Sequence, residues 1–509
     1  MRVFSLLTDT IQNGVVEVEF HSRFQIPSFQ ILGLPAPEIQ EAKERIMAAF
    51  QSSNLEFPKK RVIINLSPAS IKKGGTGHDL SIALKILSET HEEHAWEEQA
   101  CAWGELSLEG DIKPVGRMAG LIEMLLRKFE THSPLLFLHS TDYASLLILL
   151  KWRDQMGLPH PKNLRIKTVE RLGDLLAPVP EHPIALSDLA LLPRTRRENQ
   201  YESKLLSLSP GAERILKISL VGKHHVLLLG PKGTGKSESI RWYEALLPDS
   251  EPTQSWQRIL MGERRGFPLD FSPPVRRVHA SIKPSHLLGS FKERGYQPGE
   301  LALAHGGLFI ADEFMEWPRD SKECLREPLQ SKKIFLTRIF GQIECPSDFQ
   351  MVATGNLCPC GGLPPMFRTT PQSQKFKCSC KPPQIVHYLS KLSGPMLDRI
   401  DLTFVMHDPK SNTHSSSSLT RLRAEIEKAR VFSMKHFGAL PSELTPACLD
   451  QGPTFEKLLT EIMSLRTRHK ILRVARSIQA LEQSETLKEE HVFEAKCYRM
   501  PEIGEYYAS

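Results

Sequence analysis

The chain has 509 residues, 40% of them hydrophobic and 24% charged, a globular composition that argues against disorder or a fibrous architecture. Its 65 basic and 59 acidic residues leave a net charge of +6, which permits a polyanionic partner without requiring one. At roughly 150 residues per domain, the length predicts about three domains. The longest apolar run, 146–150, ends at Lys151 and falls far short of the roughly 20 residues of a membrane helix. The first residues, with Arg2 before a short apolar run and then Thr8 and Asp9, are too brief for a secretory core. Nine cysteines, an odd count without an export signal, argue against a disulfide framework. The expectation is a soluble, cytoplasmic protein without a membrane segment.

Four segments follow in chain order. Residues 1–177 mix short apolar runs (15–20, 62–66, 135–138) with a helical pattern at 36–50, which reads as α+β. Residues 178–200 are Pro-punctuated and then charged, as a linker is. Across 201–407 apolar strands alternate with helices, the pattern of a parallel α/β sheet. After a Ser-rich break at 411–418, the remainder to 509 reads as helical, over 419–436, 454–481 and 488–498.

The strongest chemical signal is Gly230-Pro231-Lys232-Gly233-Thr234-Gly235-Lys236-Ser237, which fits G-x-x-x-x-G-K-[ST]. An apolar strand precedes it and a helix can follow, the context that a phosphate-binding loop needs. Its backbone N–H groups would face the phosphates of ATP, Lys236 would reach the β- and γ-phosphates, and Ser237 would bind Mg²⁺. Downstream, 307–311 is an apolar strand ending in Asp312-Glu313. Asp312 there can hold the Mg²⁺ shell, and Glu313 can polarise a water for in-line attack on the γ-phosphate. A third strand, 349–354, ends at Gly355-Asn356, where an amide can orient that water; by itself, Gly-Asn is ordinary turn chemistry.

Cys358-x-Cys360 and Cys378-x-Cys380 place four thiols within 23 residues, enough for one tetrahedral Zn²⁺; the bland alternative is four unliganded thiols. Between the two nucleotide motifs, Arg264, Arg265, Arg276, Arg277, Lys283, Lys292 and Arg294 interleave with Phe267, Phe271, Phe291 and Tyr296. Cations beside aromatics suit single-stranded DNA, and a solvated charged surface is the competing reading.

Three stretches resemble the magnesium-chelatase-like branch of AAA+ ATPases, of the ComM/YifB type. They are Pro298-Gly299-Glu300 with Leu303-Ala304-His305-Gly306-Gly307, then Cys358-Pro359-Cys360-Gly361, then 392–402, which contains Asp398-Arg399-Ile400-Asp401. Residues 471–476 are similar to that family's lid helix. Segments 27–35 and 104–110 also match, and the first domain resembles the Lon protease C-terminal fold, of ribosomal S5-like type. The resemblance implies a P-loop AAA+ parallel sheet with a helical lid, assembled as a ring, a hexamer, that acts on single-stranded or branched DNA in natural transformation or recombination. It implies that Arg399 is the arginine finger and Arg466 the sensor-2 residue, coupling the lid to the nucleotide, with Arg468 and Arg473 competing for that role. Where the family carries Arg-x-Phe-Arg-x-Pro-His-His-Thr, this chain reads 274–281 with two arginines and one histidine. Proteolysis is not expected, because 74–79 and 114–118 lack the Ser–Lys pair that Lon chemistry needs.

Two other classes compete. A chelatase motor subunit would use the same ATPase module to drive metal insertion, and the fused N-terminal domain speaks against it. A binding module without hydrolysis would not need Lys236, Asp312, Glu313 and Arg399 together.

Overall fold

The computed structural model describes all residues except 8–13, 70, 72, 92–93, 130–133, 179–181, 184–185, 187–189, 191–204, 206–207, 267–268, 293–294, 339–340, 364–377, 407–417, 450–463 and 500–509. The linker at 178–200, the Ser-rich break and the first part of the helix read at 454–481 therefore lie largely outside the described residues. The chain divides into two compact units: Met1–Arg194 with Ile259–Asp270 and Ser290–Gln297, and the rest.

The first unit is built on an eight-stranded mixed sheet. Its strands are β1 (Arg2–Leu7), β2 (Gly14–Arg23), β3 (Ser28–Leu32), β4 (Arg61–Ser67), β5 (Gln99–Trp103), β8 (Leu135–Leu138), β9 (Arg165–Thr168) and β10 (His182–Pro183), in the order β10-β9-β8-β5-β1-β2-β4-β3. A small hairpin, β6 (Glu105–Leu106) with β7 (Ile112–Lys113), lies outside it. Alternation drives the strands: β4 buries Val62, Ile64 and Leu66 on one face and leaves the residues between them half-exposed. Helix Pro37–Ser52 starts on a proline, which needs no N–H in the first turn, and buries Ile39, Ala42, Ile46, Ala49 and Phe50 along one stripe. Ser5 and Lys73, the residue types of a Lon dyad, are spent separately. The Ser5 hydroxyl pairs with His78 Nδ1 at 2.9 Å, and the buried Lys73 ammonium donates to the carbonyls of Gly33 and Pro68.

In the second unit five strands form a wholly parallel sheet in the order β12-β15-β18-β11-β19. They are β11 (Val226–Leu229), β12 (Val275–Val278), β15 (Leu308–Ala311), β18 (Gln350–Gly355) and β19 (Leu402–Val405). Hairpins β13 (Gly289–Lys292) with β14 (Gly295–Pro298) and β16 (Lys333–Arg338) with β17 (Gly341–Pro346) leave the sheet. The near-continuous apolar character of β11, β15 and β18 is what a strand covered on both faces requires. Leu229 pairs with Gly355 and Ala311 with Ala353, so the carboxyl ends of these three strands are level.

Helices Leu419–Phe437, Leu465–Leu481 and Glu489–Cys497 pack with helix Pro210–Gly222 in the same unit and share its core. Lys217 pairs with Glu425 at 3.0 Å and Arg214 with Glu494 at 2.8 Å. His224 Nε2, just before β11, meets the hydroxyl of Ser477 at 2.7 Å, and a Cβ at Gly222 would collide with both side chains. No described helix is long and apolar enough to cross a membrane.

A fully buried branched residue in the first sheet tests its packing. Ile64→Ala should cost that unit about 2–5 kcal/mol, because the cavity cannot collapse between paired strands. Urea denaturation followed by tryptophan fluorescence, to which the buried Trp103 contributes, reads the shift; a cost under about 1 kcal/mol would contradict tight packing.

Candidate functional site

Level strand ends bring the sequence-predicted residues together. Gly230 follows β11, Asp312 follows β15 and Asn356 follows β18. Helix Lys236–Leu246 starts at Gly235, whose φ of +89° is a left-handed conformation open to glycine, so the loop can turn its amides inward. Thr234 braces the turn by donating its hydroxyl to the Pro231 carbonyl at 2.9 Å.

Lys236 Nζ donates to the carbonyls of Gly230 (2.5 Å) and Pro231 (2.8 Å) and to Asn356 Oδ1 at 3.3 Å. The P-loop cation and the amide beyond β18 are thus direct partners. Burial in the loop pushes the Lys236 ammonium down to about 8; Asp312 opposes the shift and Lys232 adds to it. On the other side of β18, Thr354 donates its hydroxyl to Asp312 Oδ1 at 2.6 Å, and Trp317 Nε1 donates to the Asp312 carbonyl at 2.9 Å. Glu313 has a φ of +50°, its backbone N–H donates to Thr354 Oγ1 at 3.1 Å, and the residue is exposed. A carboxylate oriented by a hydroxyl, beside an exposed carboxylate and a P-loop lysine, is the donor set that suits Mg²⁺ and a triphosphate, with Ser237 exposed in the first helical turn. Thr354 was not singled out in the sequence; its signal was a hydroxyl near the end of an otherwise apolar strand.

Arg399 and Arg466 lie elsewhere in this unit. Arg399 donates to the carbonyls of Arg326 (2.7 Å) and Pro395 (2.5 Å) and to Gln330 Oε1 at 2.8 Å. Arg466 donates to the same Gln330 oxygen at 3.1 Å. Both line a cavity of about 380 Å³ with Lys470, Arg473, Asp398 and Glu443, and no residue of Gly230 to Ser237 lines it. Arg473 spends its guanidinium on the Leu444 carbonyl. Arg466, read in the sequence as the residue that couples the lid to the nucleotide, shares the Gln330 oxygen with Arg399.

The four cysteines converge. Their sulfurs all lie within 4.8 Å of one another, with Cys358 to Cys360 at 3.4 Å and Cys378 at 3.7 Å from each of those two. Four thiolates bound at about 2.3 Å to a tetrahedral Zn²⁺ stand about 3.8 Å apart, so the spacing fits that ion. Backbone N–H groups also point at sulfur: Gly362 to Cys360 (3.4 Å), Leu363 to Cys358 (3.3 Å) and Cys380 to Cys378 (3.4 Å). Such donors favour thiolate over thiol. The cluster could hold a metal.

The cationic and aromatic stripe between the motifs is not one open face. Arg276 pairs with Glu300 at 2.5 Å, Arg277 pairs with Glu244 at 3.0 Å, and Tyr296 is buried. Lys283 is exposed and Phe291 is 37% exposed. The side chains of Arg264, Phe267, Lys292 and Arg294 lie outside those described.

A P-loop strand separated from its acidic strand by one more strand, which itself ends in an amide, defines a nucleotide-binding module of the AAA+ type. The chain belongs to the magnesium-chelatase-like family and is of the ComM/YifB type. A family model described as magnesium chelatase, subunit ChlI, matches residues 207–414. Two others, for subunit ChlI of Mg-chelatase and for its C-terminal part, match 16–136 and 416–499. The competence protein ComM of Haemophilus influenzae is 28% identical over 525 aligned positions, covering 98% of this chain and 97% of its own. YifB of Escherichia coli is 28% identical over 504 positions, covering 95% of this chain and 94% of its own, and YifB of Salmonella typhimurium is 27% identical with the same coverage. Because 16–136 itself matches a chelatase-subunit model, the N-terminal domain does not separate this chain from chelatase motors as the sequence suggested.

If Lys236 binds the phosphates, nucleotide affinity should depend on pH. Phosphate beside it would raise its pKa above the free value of about 8, so binding would take up a proton; affinity would be complete below that value and fall as pH rises through it. Between pH 8 and the bound pKa the dissociation constant of a fluorescent ATP analogue should weaken by up to about tenfold per unit. An affinity flat over that range would sink the Lys236 assignment.

Proposed function

We propose that this chain is an ATP-hydrolysing motor that assembles as a ring, a hexamer, and acts on single-stranded or branched DNA in recombination, as a branch-migration factor would. Its cofactors in this reading are ATP, Mg²⁺ and a structural Zn²⁺ in the cysteine cluster. The observation that carries the reading is the split of the catalytic set. Lys236, Asp312, Glu313 and Asn356 share the strand ends, while Arg399 and Arg466 gather around Gln330 at a separate cavity. Arg399, whose bonds and cavity include no residue of its own P-loop, would serve hydrolysis by reaching a neighbour's, where it would offset charge on the γ-phosphate. Hydrolysis then requires assembly. The competence protein among the relatives supports a competence-related role.

The chelatase-type reading, in which the same module drives metal insertion through partner proteins, is favoured by the descriptions of the matching family models. ATPase rate with and without single-stranded and branched DNA separates the two, since only the DNA motor should be stimulated.

Within the site, Glu313→Gln should bind ATP without turning it over, because an amide cannot accept the water's proton. Wild-type turnover by that variant would refute the general-base role. Arg399→Ala should retain ATP binding and lose about 10³-fold or more in turnover. Mixing Arg399→Ala with Lys236→Ala, once co-assembly with ATP is established by sizing, should restore part of the activity. Mixed rings that stay inactive would count against an arginine supplied in trans.

A further inference from the structure

The cysteine cluster leans on the P-loop. Cys358 and Cys360 follow Asn356 by two and four residues, and the next residue, Gly361, accepts the backbone N–H of Lys232 through its carbonyl at 3.2 Å. Gly361 has a φ of +72°, a left-handed conformation that favours glycine, and a Cβ there would meet the flexible Lys232 side chain at 3.1 Å. The approach is held by sulfur. Gly361 N–H donates to the Cys358 carbonyl at 3.1 Å, while the next two amides donate to Cys360 and Cys358 Sγ. One short stretch, residues 356–361, thereby supplies Oδ1 to Lys236 and a carbonyl to Lys232.

Lys232 sits at the outer lip of the loop, ahead of Gly233 to Ser237, whose N–H groups open the helix. With its own N–H directed to Gly361, the lip is anchored from outside and the following amides remain available to phosphate. The position of that anchor depends on the bend at Cys358 to Gly361, and four metal–sulfur bonds would fix the bend far more firmly than contacts among thiols.

We propose that the four cysteines form a zinc-closed brace for the P-loop, so that metal and nucleotide each strengthen binding of the other. The inference rests on the zinc and ATP assignments above. Coupling of this kind is reciprocal: if zinc favours the nucleotide-ready loop, nucleotide must raise zinc affinity by the same factor, and slower zinc loss is the sign read here.

The test uses the full-length protein as purified. Zinc release to a chromophoric chelator is followed with and without a non-hydrolysable ATP analogue in excess Mg²⁺, while binding of a fluorescent ATP analogue is measured in parallel. The expected result is about one zinc per chain, with release slowed at least about fivefold by nucleotide. Neither adenosine, which lacks phosphates, nor nucleotide added to Lys236→Ala should slow it. Release that is unchanged or faster in protein that binds the analogue overturns the brace and leaves both assignments standing. Slowing by adenosine or in Lys236→Ala also overturns it, because the effect would not pass through the P-loop. Protein that contains no zinc and takes up none overturns the metal assignment, and protein that binds no analogue overturns the nucleotide assignment; the brace falls with either. Removing the zinc should weaken analogue affinity by the same factor by which nucleotide raises zinc affinity, measured at equilibrium against a competing chelator, and unequal factors would also refute it.

Discussion

The insertion of β18 between β11 and β15 is the constraint on which the site depends. A parallel sheet sends all its carboxyl ends to one edge, and the level register of these three strands puts a loop, a carboxylate and an amide within one side chain's reach. Thr354 and Asn356, two residues apart on the inserted strand and its exit, then serve opposite neighbours. The hydroxyl orients Asp312 on one side, and the amide meets Lys236 on the other. Were β11 and β15 adjacent, neither contact could form, and the acid and the ammonium would have to find each other without an intermediary.

Much of this was legible in the sequence because it is encoded locally. The loop Gly230 to Ser237 carries its own geometry in its glycines, and Asp312 and Asn356 each close an apolar run. The cysteine pairs announced themselves by composition, although only the fold shows that the four sulfurs meet. Gln330 was invisible: a glutamine in a helix of six residues, Arg326–Ser331, has no signature, and its importance comes from two arginines that are 67 positions apart in sequence and converge on it. Gly361 was legible as part of a Cys-Pro-Cys-Gly motif but not as a partner of Lys232, since pairings across more than a hundred residues leave no local trace.

Charge left its two readings, a face for single strands and a solvated surface, open. Counting arginines between the nucleotide motifs suggested a face for nucleic acid, yet Arg276 and Arg277 are each matched by a glutamate from another element, Glu300 and Glu244. Composition counts cations; only tertiary structure shows which of them have been neutralised. The same holds for Arg214 and Lys217, whose charges are spent on holding helices together.

The shared oxygen of Gln330 has a further consequence. Two guanidiniums drawn to one neutral amide are incompletely compensated, since an amide oxygen offers lone pairs but no net charge, and the nearness of Arg466 adds to burial in lowering the pKa of Arg399. Gln330 therefore fixes both cations on one point in space without cancelling the charge of either.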